Sequence, residues 1–274
     1  MLPTYNRPEL ILRAVESVLE QEYDNYLLHI FNDGSDVSYD QLESLILDHP
    51  NVIYTKSKNI GINESRNIML DRFIKRHESD DLKNVYFCTL SDDDYFVEDA
   101  FKKFELSIKD YPADIWFCFN CHSLSQHIFE NSDFPSTELL SYHQFRSDYK
   151  GDKHFLFRLY ELRANSYPAK YFKNGFEHIY YYTVPANMRI IPVTVKIIEY
   201  QEDGLSLSEL YGSFDNFSVI LAHIKSDPKN KIYYSWMLKK ILKLPKKSLK
   251  QLVSEERYYK IKKRLGLKVP EKYK

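Results

Sequence analysis

Three short polar clusters each follow an apolar run within the first hundred residues. They are Pro3-Thr4-Tyr5-Asn6-Arg7, Asn32-Asp33-Gly34-Ser35-Asp36 and Ser91-Asp92-Asp93-Asp94. Consecutive aspartates repel one another, and a cation relieves that repulsion. Hard oxygen ligands suit Mg²⁺ or Mn²⁺, which commonly bridge a few carboxylates to phosphate oxygens. Taken alone, such a triplet reads more plainly as a solvated turn leading into a helix. Its position directly after an apolar strand favours the cation. Asp33 can accept a hydrogen bond from a base N–H and Tyr5 can stack on a base, although alone each reads as a turn aspartate and an amphipathic aromatic. Asn59-Ile60-Gly61 with Arg66 opens a helix and puts a cation where a diphosphate can lie. Neither G-x-G-x-x-G nor G-x-x-x-x-G-K-[ST] occurs. A nucleotide would therefore be held by Tyr, Asp, Arg and a metal in place of a glycine cradle.

The elements that must position these clusters alternate. Residues 8–21, 39–48, 62–75 and 98–111 carry helical spacing, and residues 26–31, 52–55, 84–90 and 114–120 are short apolar runs. Strands separated by helices predict βαβ units, an α/β fold and a mostly parallel sheet. Ligands bind such sheets at the carboxyl ends of the strands, so neighbouring strands would gather the three clusters in one crevice. The first strand looks short, as if the recorded start lay inside it. Residues 121–150 show no periodicity and read as a long loop. Residues 154–164 and 175–184 read as helices, 188–200 as β-structure, and the chain from Leu207 onward as helical, broken at Asp227-Pro228, Leu244-Pro245 and Gly266.

Composition sets limits on function. The formal net charge of −1 hides a division: from Lys225 onward there are 17 basic and 4 acidic residues, against 21 basic and 35 acidic before it. That excludes a uniformly basic nucleic-acid binder. A hydrophobic content of 43% suffices for a core. No apolar run approaches the ~20 residues of a membrane span, and no leader is evident, so a cytoplasmic location is expected. Three cysteines make no disulfide framework. Cys118-Phe119-Asn120-Cys121-His122 matches a haem-attachment pattern, yet it lies in an expected buried strand where thiols pack as small hydrophobes.

Read together, PTYNR, a helix ending in SVLEQ, FNDGSD, NIGINESRN and LSDDD resemble an inverting family 2 glycosyltransferase. The similarity is strong over about residues 1–120 and extends to bacterial members that build surface polysaccharides, such as capsule. It implies a GT-A fold, a Rossmann-like sheet flanked by helices. It further implies that Tyr5 stacks on the donor base, Asp33 reads it, and Arg66 lies near base or phosphates. Asp92 would lie near the ribose and Asp93 on a divalent metal, Mn²⁺ or Mg²⁺. The family's acidic motif is often D-x-D; Ser91 at its first position leaves Asp92 and Asp94 as alternatives for the second acidic partner. More loosely, Glu177 in Asn174-Gly175-Phe176-Glu177-His178 matches the general base that opens a helix in the acceptor region, with His178 and Asp203 as competitors, and EYQEDGLS (199–206) resembles a segment of bacterial members. One carboxylate suffices for inversion by direct displacement.

The expected organisation is a GT-A domain over 1–206, with a nucleotide-sugar half to about 120 and an acceptor half over 121–206, then a basic helical extension over 207–274. Basic, amphipathic helices favour anionic membrane surfaces, where lipid-linked acceptors reside. The expected activity moves a sugar from a UDP-type donor to a glycan or lipid-linked acceptor, peripheral to the inner face of the cell membrane. The alternatives are a sugar nucleotidyltransferase, which usually has a glycine-rich N-terminal loop that PTYNR lacks, and a non-catalytic nucleotide-binding scaffold whose tail binds a partner.

Overall fold

A computed structural model describes residues 1–77, 81–124, 130–201, 217–226, 228–229, 231–243, 255–264 and 268–271. The chain divides into two compact units, Met1–Leu207 and Ser208–Lys274.

The first unit begins with β1 (Leu2–Thr4), α1 (Leu10–Leu19), β2 (Leu28–Asn32), α2 (Asp40–Ile46), β3 (Val52–Lys56) and α3 (Ile62–Arg76). Helices of about three and two turns, α1 and α2, return the chain each time, so the three strands pair in parallel in the order β1-β2-β3. Ile11, Ala14, Val15 and Val18 recur at helical spacing and form the buried stripe of α1, in one core cluster with Leu2 and Ile30. On the free side of β1, the Met1 amine donates to Cys88 O and the Leu90 amide to Met1 O, both at 3.0 Å. The apolar run expected as one strand over 84–90 is thus divided. Asp81–Asn84 is a 3₁₀ turn, β4 is only Tyr86–Phe87, and 88–90 lies beside residue 1. This brings the acidic turn at 91–94 next to the end of β1.

The rest of the unit comprises β5 (Tyr95–Phe96), α4 (Ala100–Asp110), β6 (Trp116–Ser123), β7 (Glu138–Leu140), α5 (Tyr142–Asp148), β8 (His154–Arg158), α6 (Leu159–Leu162), α7 (His178–Tyr182) and β9 (Met188–Ile198). The second sheet runs β4-β8-β6-β9-β5, with β7 also on β9. Here β6 and β9 are parallel, while the other described pairings are antiparallel, which the alternation of helix and strand patterns did not reveal.

Two expectations are corrected. Residues 154–158 form a strand, with helix only from Leu159; a strand with aromatics on both faces mimics a helical stripe, and pairing with β4 and β6 decides the outcome. The aperiodic 121–150 segment holds β7 and α5. A capping box opens α5: Ser141 Oγ accepts from Gln144 N and Gln144 Oε1 accepts from Ser141 N. Cys118 and Cys121 are buried free thiols of β6, and burial pushes Cys121 up to about 12. The haem-like pattern is strand packing.

The second unit contains α8 (Phe217–Ser226), α9 (Lys231–Lys243) and α10 (Glu255–Arg264). His223 on α8 meets Tyr233 and Trp236 of α9 at ring distances of 5.0 and 5.8 Å. The expected breaks at Leu244-Pro245 and Gly266, and Asp227 of the first break, lie outside the described residues. Among those described, no helix is long and apolar enough to cross a membrane.

Candidate functional site

The carboxyl ends of β1 and β2 and the turn before β5 meet through one side chain that the sequence reading left as the start of a helix. Tyr39 is buried. Its hydroxyl lies 2.9 Å from Thr4 Oγ1, accepts from Arg7 N at 3.0 Å and lies 3.3 Å from Ser35 Oγ. Thr4 Oγ1 donates to Asp92 Oδ2 at 2.8 Å, so all three polar clusters share one network. Asn6 adopts the left-handed region at φ 54°, which asparagine tolerates. Its amide donates to Ser35 Oγ and its Oδ1 accepts from Asp36 N, each at 2.9 Å. Tyr5, just before this turn, is 42% exposed and accessible to a ligand ring.

Asp33 is buried and orders the loop that precedes α3. Its Oδ1 accepts from Ile60 N at 2.7 Å and its Oδ2 from Gly61 N at 2.8 Å. Each oxygen retains a further lone pair for a ligand. The loop passes so close that only glycine fits at two places. At Gly34 (φ 78°) a Cβ would lie 2.3 Å from Asn59 N, and at Gly61 (φ 96°) it would lie 2.5 Å from Lys173 O.

The three aspartates occupy different environments. Asp93 Oδ2 and Asp92 Oδ1 lie 2.8 and 3.3 Å from Arg7 Nη1. Burial, with Asp93 beside it, pushes the Asp92 carboxyl up to about 6 against the pull of Arg7. Asp94 is instead buried on Lys196 of β9, Oδ2 to Nζ 2.5 Å. Burial raises this carboxyl too, while Asp94 holds the Lys196 ammonium firmly protonated despite its own burial. Arg13 of α1 donates to Asp93 O at 3.1 Å and to Glu199 Oε2 at 2.6 Å, with its guanidinium over the Tyr95 ring. Asp92 therefore shares a cation with Asp93, and Asp94 is engaged elsewhere. Among the described residues no group of three or more His, Cys, Asp or Glu side chains is gathered for a metal. The Asp92–Asp93 pair still suits Mg²⁺ or Mn²⁺, because such ions take one or two carboxylates and complete their shell with water and substrate phosphates.

Glu177 lies immediately before α7. Its Oε1 is 3.4 Å from Nη1 of the buried Arg66, whose guanidinium also lies over the Tyr167 ring. Burial would raise the Glu177 carboxyl, but Arg66, its own backbone amide and His178 together hold it below the usual glutamate value. The NIGINESRN run contributes two clamps that the sequence did not expose. Asn63 Nδ2 donates to Phe172 O and Gly175 O at 2.8 and 2.9 Å, and Asn67 Oδ1 accepts from Tyr167 N at 2.7 Å. Phe176, beside Glu177, sits at φ 60°, a strained conformation for an aromatic residue. The structure thus brings Asp33 to the opening of Arg66's helix, Asp92 to Asp93, and Arg66 to Glu177. Asp203 lies outside the described residues.

Residues 1–166 match the model of glycosyl transferase family 2. An uncharacterized glycosyltransferase of Rickettsia felis is 30% identical over 109 residues, 40% of this chain and 16% of the relative. The chain spans less than a fifth of the length of the curated relatives it matches. Among solved structures, S. aureus TarS 1-349 in complex with UDP aligns with 95% of this chain and 82% of its own, at a TM-score of 0.61 and 14% identity. GalNAc-T7 with UDP, GalNAc and Mn²⁺ aligns with 74% of this chain and 43% of its own, at a TM-score of 0.50 and 12% identity. Those likenesses show a common GT-A fold. With its family match running across both sheets, from Met1 past β8 and α6, this chain belongs to glycosyl transferase family 2.

Proposed function

We propose that the chain transfers a sugar from a UDP-linked donor to a glycan or lipid-linked acceptor with inversion, in bacterial surface-polysaccharide synthesis. The observation that carries this reading is the single network joining Thr4, Arg7, Tyr39, Asp92 and Asp93 across three chain segments. The TarS forms solved with UDP and UDP-GlcNAc support the choice of donor.

In this reading Tyr5 stacks on the base, Asp33 accepts from it, Asp92 holds the ribose and Arg66 faces the base or phosphates. Asp93, with Asp92 close by, would hold Mn²⁺ or Mg²⁺, which when bound neutralises the charge of the departing diphosphate. Glu177 takes the acceptor hydroxyl proton as that oxygen forms its bond to the anomeric carbon. The anomeric C–O bond breaks from the opposite side and its electron pair leaves with the diphosphate, so one displacement inverts the centre. An ionised Glu177 held by Arg66 begins in the proton-accepting state.

The basic second unit serves, in this reading, as a foot on the anionic inner face of the cell membrane, with Lys262, Lys263 and Arg264 in the last turn of α10 among its cations. Sedimentation with anionic liposomes should weaken with salt. A panel of nucleotide sugars, scored by thermal shift with and without Mn²⁺ and by release of free UDP, tests the activity. A UDP-sugar should raise Tm and release UDP in the presence of acceptor. Absence of any shift with any donor would sink the proposal, and a shift without release would favour the scaffold.

A further inference from the structure

The acidic turn already holds a cation of the protein's own. Arg7 Nη1 lies between the two carboxylates, 2.8 Å from Asp93 Oδ2 and 3.3 Å from Asp92 Oδ1, and all three side chains are mostly buried. The backbone beneath Arg7 is fixed. Its amide is bonded to Tyr39, and the preceding Asn6 is tied by amide and side chain to residues 35 and 36. From that fixed backbone the Arg7 side chain reaches the carboxylate pair. One guanidinium carries a single positive charge against two carboxylates, whereas a divalent ion would neutralise both. The two cations would share the same oxygens, so they cannot both take them in full. A guanidinium that leaves the pair is a planar fork well matched to phosphate oxygens.

We infer that Arg7 is a built-in competitor for the divalent metal at Asp92–Asp93, and that donor diphosphate favours metal entry by accepting the displaced guanidinium. The inference rests on the assignment of Asp93 as a metal ligand. It makes Arg7 a coupling residue: without nucleotide the pair is closed by Arg7, and with nucleotide it is released. By linkage, the diphosphate must then tighten metal binding by the same factor as metal tightens diphosphate binding.

The test is a Mn²⁺ titration of the full chain, read as loss of the free-ion EPR signal, with and without UDP. Arg7→Met should bind Mn²⁺ about tenfold more tightly than the unaltered chain in the absence of UDP. The gain that UDP confers should shrink in this variant. Arg7→Gln, which keeps a hydrogen bond but no charge, should shift the same way, so the inference does not hang on one variant folding. Arg7→Lys retains the positive charge and should stay within about threefold of the unaltered chain. Uncharged variants that bind Mn²⁺ no more tightly than the parent would overturn the inference, as would a lysine variant that behaves like Met. Asp93→Asn separates this from the underlying assignment. If it binds Mn²⁺ with UDP as well as the parent does, Asp93 is not a ligand and both ideas fall; if binding is lost while Arg7→Met changes nothing, only the competitor role falls.

Discussion

The two halves of the first unit hold their polar groups by different means. In residues 1–120 the site is fastened from within that half, by backbone amides and hydroxyls together with the Arg7 ion pairs to Asp92 and Asp93. Backbone amides of Ile60 and Gly61 hold Asp33, and hydroxyls of Thr4, Ser35 and Tyr39 join neighbouring strand ends. The later half is joined to this frame by the pairing of β4, β5 and β6 with β8 and β9, by the Asn63 and Asn67 clamps, and by ion pairs. Among the described residues, Arg66–Glu177, Asp94–Lys196, Asp114–Arg189 and Arg13–Glu199 each pair a residue of the first half with one of the second. The difference teaches that the donor cluster is tied together mainly within residues 1–93, while the acceptor-side groups lean on ion-pair partners in the other half. It also means that the acceptor side depends on partners from 75 to 186 residues away in sequence.

The strongest way to break this comparison is at Glu177. Glu177→Gln keeps an oxygen for Arg66 but cannot accept a proton, so kcat should fall about 10³-fold with donor affinity nearly unchanged. The pH profile sharpens the point. Transfer requires the ionised carboxylate, which Arg66 holds below the ordinary glutamate range, so the acid limb of kcat/KM should lie below that range. In Arg66→Gln burial acts with much less opposition, the carboxyl rises, and the acid limb should move to higher pH. A limb that stays in place in both proteins would show that Glu177 is not the base.

Next in size is the buried pair. Lys196→Met leaves Asp94 without its cation and should cost about 3 kcal/mol in urea unfolding. Adding Asp94→Asn should recover much of that loss, because the uncompensated carboxylate is then gone. If the double variant is as unstable as the sum of the singles, the halves are not joined through this pair.

The loop around Gly34 on the donor side should respond to shape more than to charge. Gly34→Ala forces a Cβ into the backbone of residue 59 at a left-handed φ, and about 2 kcal/mol of stability should be lost. Raised salt should not change that loss, because no ion pair is involved. A loss that vanished in salt would erase the distinction between the halves.

That contrast also explains what was legible in the sequence. PTYNR, NDGSD and SDDD stand out because each polar cluster interrupts an apolar run, and a strand followed by a turn is a local pattern. The βαβ alternation gave the three parallel strands for the same reason. Tyr39 was hidden as an ordinary amphipathic residue at a helix start, since nothing local shows that its hydroxyl joins residues 4, 7 and 35. Lys196 was hidden within the β-rich run 188–200, where its partner lies 102 residues away. Strand β8 was misread because HFLFR is apolar on both faces, and only pairing on both edges distinguishes such a strand from a buried helix. Asn63 and Asn67 were visible as part of a motif, but their acceptors are carbonyls of residues 167–175, set by tertiary contact.

The smallest expected effect comes from the most exposed of the four crossing pairs. Arg13 and Glu199 are 40% and 36% exposed, so their attraction is screened and should contribute less than about 1 kcal/mol. Arg13 nonetheless has two other attachments, the carbonyl of Asp93 and the face of Tyr95. Glu199→Gln should therefore leave the acidic turn in place and change the donor Kd less than about twofold. Arg13→Ala removes all three contacts and should weaken donor binding more than Glu199→Gln does, with the excess persisting at high salt because a carbonyl hydrogen bond and a ring contact are less screened. If instead Glu199→Gln weakens the donor as much as Arg13→Ala, the carboxylate is what sets the arginine. The acidic turn would then be positioned from the acceptor half, and the contrast between a donor cluster tied from within and an acceptor side held from across would fail.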